Sequence, residues 1–333
     1  MDHQKVIDQL LNSSEPSVRY LCRRDVLGED PASDRMIALL EQIRTSERVK
    51  VMLSPRGEDG RFPWHAYNKW IGAFWTLLLL ADIGYPVGDL TLIPLRDQVL
   101  SWLLSEQHIK KVPLINGRWR RCACQEGSAV LAMLKLGIAD ERITILIENL
   151  LKWQWPDGGW NCDKNPAATH SSFHETWLPL RAMQTYADAS GSSRAAESVE
   201  KASEVFLSHH LFMTRSDTPS ILEAFTHPVY PAYWHYDFLV GLKVMDEVGR
   251  LADPRCREAL NLLESKRLTD GGFRAEKKYY HVTDKTEGSG VSFVDWGGVS
   301  KLRMNEWVTV TALSVLNKSG RLSNEPRGLG ENS

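Results

Sequence analysis

Apolar positions along this chain fall into two alternating kinds of stretch. In the first kind they run nearly all round a helical projection: "KWIGAFWTLLLLADIG" (69–84), "CQEGSAVLAMLKLG" (124–137), "SSFHETWLPLRAMQTYAD" (171–188), "YWHYDFLVGLKVMDEVG" (233–249) and "MNEWVTVTALSVLNKSG" (304–320). A helix that is apolar on every side is buried on several sides, so these five are predicted to be inner helices. The stretches between them, "LIPLRDQVLSWLLSEQ" (92–107), "DERITILIENLLKWQ" (140–154), "SRAAESVEKASEVFLSHHL" (193–211) and "DPRCREALNLLESKRL" (253–268), keep one polar face and are predicted to lie outside. Three more helices are expected near 4–12, 16–27 and 34–46. No segment shows the period of two that marks a half-buried strand. Alternating inner and outer helices fit an all-α ring or an open solenoid, and six pairs favour closure into a double ring.

Local punctuation agrees with these boundaries. Asp253-Pro254 places a helix cap before a proline at the first helical position, and Gly137, Gly249 and Gly320 stand where helices are expected to end. A glycine-plus-aromatic signal recurs as "DGRF" at Phe62, "NGRW" at Trp119, "DGGW" at Trp160 and "DGGF" at Phe273, with a degenerate copy expected at 212–227. Two glycines permit a tight turn and the ring staples it to neighbouring helices, so residues 157–160 read first as a structural corner. The "QWPDGGW" and "LTDGGF" signals, each followed by alternating helices, resemble the prenyltransferase and squalene-oxidase repeat of class II terpene cyclases and protein prenyltransferase β-subunits, over roughly residues 50 to 318. That resemblance implies an all-α (α/α)6 toroid with a reactive cavity at the N-terminal ends of the inner helices. One domain is expected over 1–320, the helices of 4–46 completing the ring, with a frayed polar tail at 321–333.

Composition narrows the function classes. With 40 basic and 42 acidic residues the net charge is −2, which offers no overall field for nucleic acid or an anionic membrane. No stretch approaches the roughly 20 apolar residues of a membrane span, which leaves only a peripheral membrane contact open. Five cysteines and an N-terminus without a long apolar core point to reduced thiols and a cytoplasmic setting. Tryptophan is unusually abundant: 12 residues, against 9 each of Tyr and Phe. Such a surplus of rings suggests repeated corners or a ring-lined cavity.

Candidate chemistry gathers at the starts of the inner helices. Gln125-Glu126, His174-Glu175, His235-Tyr236-Asp237 and Asn305-Glu306 each set a carboxylate beside an amide or imidazole, and Asp295 lies just ahead of the last inner helix. Acids are favoured there by the helix dipole whatever the function, and Ser172-Phe-His-Glu175 also fits a capping box. In a toroid, however, they would converge on one mouth. Around them, Trp64, His65, Trp70, Phe173, Tyr233, Trp234, Tyr236, Trp296 and Trp307 could line a cavity and stabilise positive charge, with Trp177 beside them. Arg121, with Arg118, Arg120, Arg274, Lys277 and Lys278, offers a basic rim, and 274–302 reads as a lid or binding loop. Cys162, His170 and His174 raise a metal question. In protein prenyltransferases an aspartate and a cysteine two apart precede a Ser-Phe pair as zinc ligands; here Thr169 and Ser171 occupy the matching positions, so the expectation is no metal and no cofactor.

These readings lead to an enzyme resembling a terpene cyclase, of isomerase or lyase type. It would act on a small apolar or amphiphilic, possibly isoprenoid, substrate by general acid catalysis, with Asp237 as the first-choice acid and His235 as its orienting partner. The Asp-x-Asp-Asp acid motif of class II cyclases does not occur. The alternatives are a carbohydrate-active (α/α)6 hydrolase or lyase, and a non-catalytic binding toroid. An apolar closed pocket marks the first, a groove with paired carboxylates the second, a plugged ring the third. Oligomeric state is left open.

Overall fold

The computed structural model describes residues 3–110, 112–214 and 221–322. Its helices alternate as the hydrophobic pattern predicts. The inner ones are α2 (Pro16–Leu21, continued by a wider turn over Cys22–Val26), α5 (Ala73–Asp82), α8 (Cys124–Lys135), α10 (Phe173–Ser190), α12 (Phe238–Glu247) and α14 (Glu306–Lys318). The outer ones are α1 (His3–Leu11), α3 (Asp34–Arg44), α6 (Ile93–Leu103), α9 (Ile143–Trp153), α11 (Ser193–Leu207) and α13 (Arg257–Ser265). Two short helices, α4 (Glu47–Leu53) and α7 (Glu106–Ile109), are additions that the apolar pattern did not announce.

In the inner ring, α5 packs on α8, α8 on α10, α10 on α12, α12 on α14 and α14 on α2. The last gap closes where the Tyr20 ring of α2 lies against Gly84 just beyond α5. Outer helices lie on five of the six inner ones: α1 and α3 on α2, α6 on α5, α9 on α8, α11 on α10, α13 on α12. The fold is therefore an (α/α)6 toroid. Among the described residues no helix is long and apolar enough to cross a membrane.

Proximity inside the ring has visible causes. A side chain at Gly127 would bring its Cβ within 2.5 Å of the Pro179 nitrogen, so glycine lets α8 and α10 approach closely. The "DGGW" turn is the structural corner expected: Gly158 has φ +103°, Asp157 accepts from the Ser171 N–H and hydroxyl, and the buried Trp160 indole donates to the Leu150 carbonyl at 2.9 Å. Gly137, Gly249 and Gly320 all end helices with positive φ, and Asp253 caps as expected. Part of the degenerate copy at 212–227 and nearly all of the 321–333 tail lie outside the described residues. Two small ladders also form, Leu114–Ile115 with Arg118–Trp119 and His281–Val282 with Val291–Ser292. At two residues per strand, neither has room to display a period of two.

Candidate functional site

The aromatic residues expected to line a hollow pack chiefly on one another. Trp70 stacks on Tyr233 with ring centroids 3.9 Å apart, His235 on Tyr279 at 3.3 Å and on Trp234 at 3.9 Å, and Tyr230 on Trp307 at 5.1 Å. Trp296 is 1% exposed against Trp307, and Phe173 packs among Phe206, Phe225 and Tyr236. Trp177 donates its indole N–H to Trp234, and Trp64 donates to Ile71. Only about 20 Å³ remains in the gap between Trp70, Trp296 and Phe293. The 274–302 segment reinforces this packing: Val291 accepts from the Trp70 backbone at 3.0 Å, and Tyr279 from the Trp70 indole at 2.7 Å. Most of the rings expected to wall one cavity therefore pack on one another, while His65 and Phe173 reach two separate clefts.

The carboxylates divide as well. Asp237 is 1% exposed and caps α12: Oδ1 accepts from Leu239 and Val240, and Oδ2 from Val229, all at 2.8–2.9 Å. Burial pushes its pKa up to about 7 in spite of these donors. His235 does not orient it; the imidazole Nδ1 faces the Ala232 carbonyl at 3.1 Å, and burial lowers its pKa to about 3. Glu306 accepts from Ser13, while Asn305 caps α14. Asp295 is exposed and accepts from the Tyr280 hydroxyl and the Gly297 N–H, beside a cleft of about 600 Å³ that includes Glu15 and Arg48. These three acids therefore each have their own hydrogen-bond partners.

Glu126 and Glu175 do come together, at the N-terminal ends of α8 and α10. Glu126, 1% exposed, accepts from Arg121 Nε at 3.0 Å and again from its Nη2, and lies 3.4 Å from His108 Nε2. Burial pushes its carboxyl up, with the Arg121 guanidinium opposing. The capping box around Glu175 does not form. Instead its Oε2 accepts from the Cys124 N–H at 3.2 Å, so α10 caps its neighbour α8, and its Oε1 lies 3.1 Å from the Cys162 thiol. Burial raises the Glu175 carboxyl. The Cys162 thiol is raised by its contact with Cys122 and by burial. His174 packs on Phe225, Trp234 and His235 rather than joining Cys162, and His170 is exposed.

Beside these groups runs a trough of about 410 Å³ lined by His65, Trp102, Ser105, Gln107, His108, Arg121 and Gln125. His65 and Tyr67 both touch the Trp102 ring, and Tyr67 meets the Gln125 side chain. Of the basic rim, Arg121 alone among its arginines lines this trough; Arg120 is buried over Trp155, and Arg274 pairs with Glu276. Reasoning from sequence named Glu126, Glu175, Arg121 and His65 but missed His108, Trp102, Tyr67 and the pairing of Cys122 with Cys162. The sequence raises Cys162 as a candidate ligand and holds Cys122-Ala123-Cys124, but no spacing in it joins the two.

No family model matches this chain, and no curated protein does. Among solved structures it is similar to a glycosyl hydrolase of family 88 from Bacteroides vulgatus, at 13% identity and TM-score 0.46 over 96% of this chain and 98% of the other. A polysaccharide lyase is similar at 11% identity and TM-score 0.47, over 98% and 100%. A type II terpene cyclase from Scytonema, in complex with geranylgeranyl dihydroxybenzoate, is similar at 16% identity and TM-score 0.41, over 95% and 99%. Likenesses this remote carry no argument about chemistry.

Proposed function

We propose that the protein is an enzyme whose reactive end is the N-terminal mouth of the inner ring. It performs general acid–base chemistry, of hydrolase or lyase type, on a small hydroxylated or amphiphilic substrate. The observation that carries this reading is the trough in which His108 stands against the buried Glu126 and Arg121. Arg121, itself held by Glu126, donates toward His108 Nε2 and so orients the imidazole for proton transfer. Trp102 and His65, whose rings meet edge to face at 75°, supply aromatic contacts for a sugar-like ring, while Gln125, Ser105 and Gln107 supply hydrogen bonds. The lining is too polar to be the wall of an isoprenoid cavity.

A second reading keeps an apolar substrate and cyclase-like chemistry. It is favoured by one observation, a cleft of about 350 Å³ where Phe173, Phe225, Ile221 and Leu222 stand with His170 and His174. Turnover of aryl glycosides and unsaturated uronic-acid disaccharides, measured against farnesol and squalene, separates the two. The first reading expects glycoside turnover that falls about 100-fold or more in His108→Ala, with the fold intact by circular dichroism. Glycoside turnover unchanged in that variant overturns it, and turnover of isoprenoids alone moves the site to the apolar cleft.

A further inference from the structure

Three metal-binding side chains that the acid–base reading does not use meet beside the trough. The Cys122 and Cys162 sulfurs and a Glu175 carboxylate oxygen all lie within 4.8 Å of one another. They come from three separate elements: the residue pair before α8, the loop after the "DGGW" turn, and the first turn of α10. Tetrahedral zinc with bonds of about 2.0–2.3 Å holds its ligand atoms roughly 3.3–3.8 Å apart. The cluster therefore needs only small side-chain adjustments to close on an ion. Its hydrogen bonding is already divided as a metal site requires, since Glu175 Oε2 is anchored on the Cys124 N–H at 3.2 Å while Oε1 faces the Cys162 sulfur. That anchor orients the carboxylate from outside the ligand set.

We infer that Cys122, Cys162 and Glu175 form a zinc site with an open fourth position at the mouth of the toroid. Two thiolates favour a borderline-soft ion over magnesium or calcium. Three protein ligands, two of them on partly exposed cysteines, follow the pattern of sites that keep one position for water or a substrate atom. An ion there would neutralise three groups that are acidic together, whose own contacts are with each other and with the N–H and thiol of Cys124. Thr169 and Ser171, the positions matching the prenyltransferase ligand pattern, take no part. The inference is independent of the role of His108, because it uses other side chains and is read by metal content rather than turnover.

The test uses the full chain, purified under reducing conditions and exposed to zinc, then to cobalt. The expected result is one zinc per chain by mass spectrometry of the metal. With cobalt, a thiolate-to-metal charge-transfer band and intense tetrahedral ligand-field bands should appear. Cys122→Ser and Cys162→Ser should each halve the charge-transfer intensity and weaken zinc affinity at least about 10-fold, and Glu175→Gln should weaken it similarly with both thiolate bands retained. Cys256→Ser, buried elsewhere in the ring, should change nothing. Circular dichroism of each variant separates lost metal from lost fold. Absence of stoichiometric zinc in the folded chain overturns the inference, as does zinc retained undiminished in both cysteine variants. So does a mass deficit of two hydrogens mapping to linked Cys122 and Cys162 peptides.

Discussion

The two ends of the inner ring hold their carboxylates in different company. At the C-terminal ends, Glu247 is held by Arg181 and Lys135, and Asp82 by Lys243 at 3.1 Å and Arg181 at 3.6 Å. Burial alone would raise both acids, yet these cations drive both carboxyls down. At the N-terminal ends, Glu175 meets thiols and a backbone N–H, Asp237 meets only backbone N–H groups, and both are raised. A charge-balanced network at one end closes the barrel. At the other end Glu126 keeps the Arg121 guanidinium, while Glu175 and Asp237 form no ion pair among the described residues, and the proposed function rests on that imbalance.

The largest expected effect breaks the balanced end. Arg181→Met removes the buried cation between Glu247 and Asp82, which are about a quarter exposed and keep Lys135 and Lys243, and denaturant unfolding should show a loss of about 2–4 kcal/mol. An effect below about 1 kcal/mol would mean that Lys135 and Lys243 suffice and the network is not the closure it is taken for. Next in size is Asp237→Ala, which leaves three buried N–H groups without an acceptor; a loss of about 2–3 kcal/mol is expected in the same measurement. If stability held while turnover vanished, Asp237 would return to the mechanism as an acid. Gly127→Ala should cost about 1–3 kcal/mol, because the added methyl must displace the Pro179 backbone that brings α10 against α8.

The smallest effects are in pH dependence, and their signs differ between the ends. Glu247 has a depressed folded pKa, so its contribution is present above the ordinary value of 4.5 and is lost as pH falls toward the folded value. Glu247→Gln should flatten the acid limb of a stability profile. Asp237 has a raised pKa of about 7 against 3.8, so the folded state binds the extra proton and stability falls as pH rises between those values. Asp237→Asn should flatten that decline, and a profile unchanged in both variants would remove the electrostatic contrast.

Much of the ring was legible because packing and sequence share one variable. A helix such as Ala73–Asp82 is apolar all round since it is covered all round, whereas Ser193–Leu207 keeps its polar face because solvent is there. The site was legible only in pieces. Glu126 and Glu175 announce themselves at helix starts, but the partner of each is set by tertiary approach: Glu175 turns from its own Ser172 to the Cys124 N–H because glycine lets two helices close up. Cys122 and Cys162 lie forty residues apart, and no local spacing encodes their meeting. The aromatic surplus fits both repeated corners and a ring-lined cavity for a related reason, since rings able to line a cavity are equally able to fill it.

The contrast is tested most directly by the turnover per folded molecule of Glu126→Gln set beside that of Glu247→Gln, with glycoside substrate and at a pH where both variants are folded. The account predicts turnover lost at the mouth in the first and kept in the second, despite the second's lower unfolding free energy. Turnover retained by Glu126→Gln and lost by Glu247→Gln would place the chemistry at the opposite end of the ring.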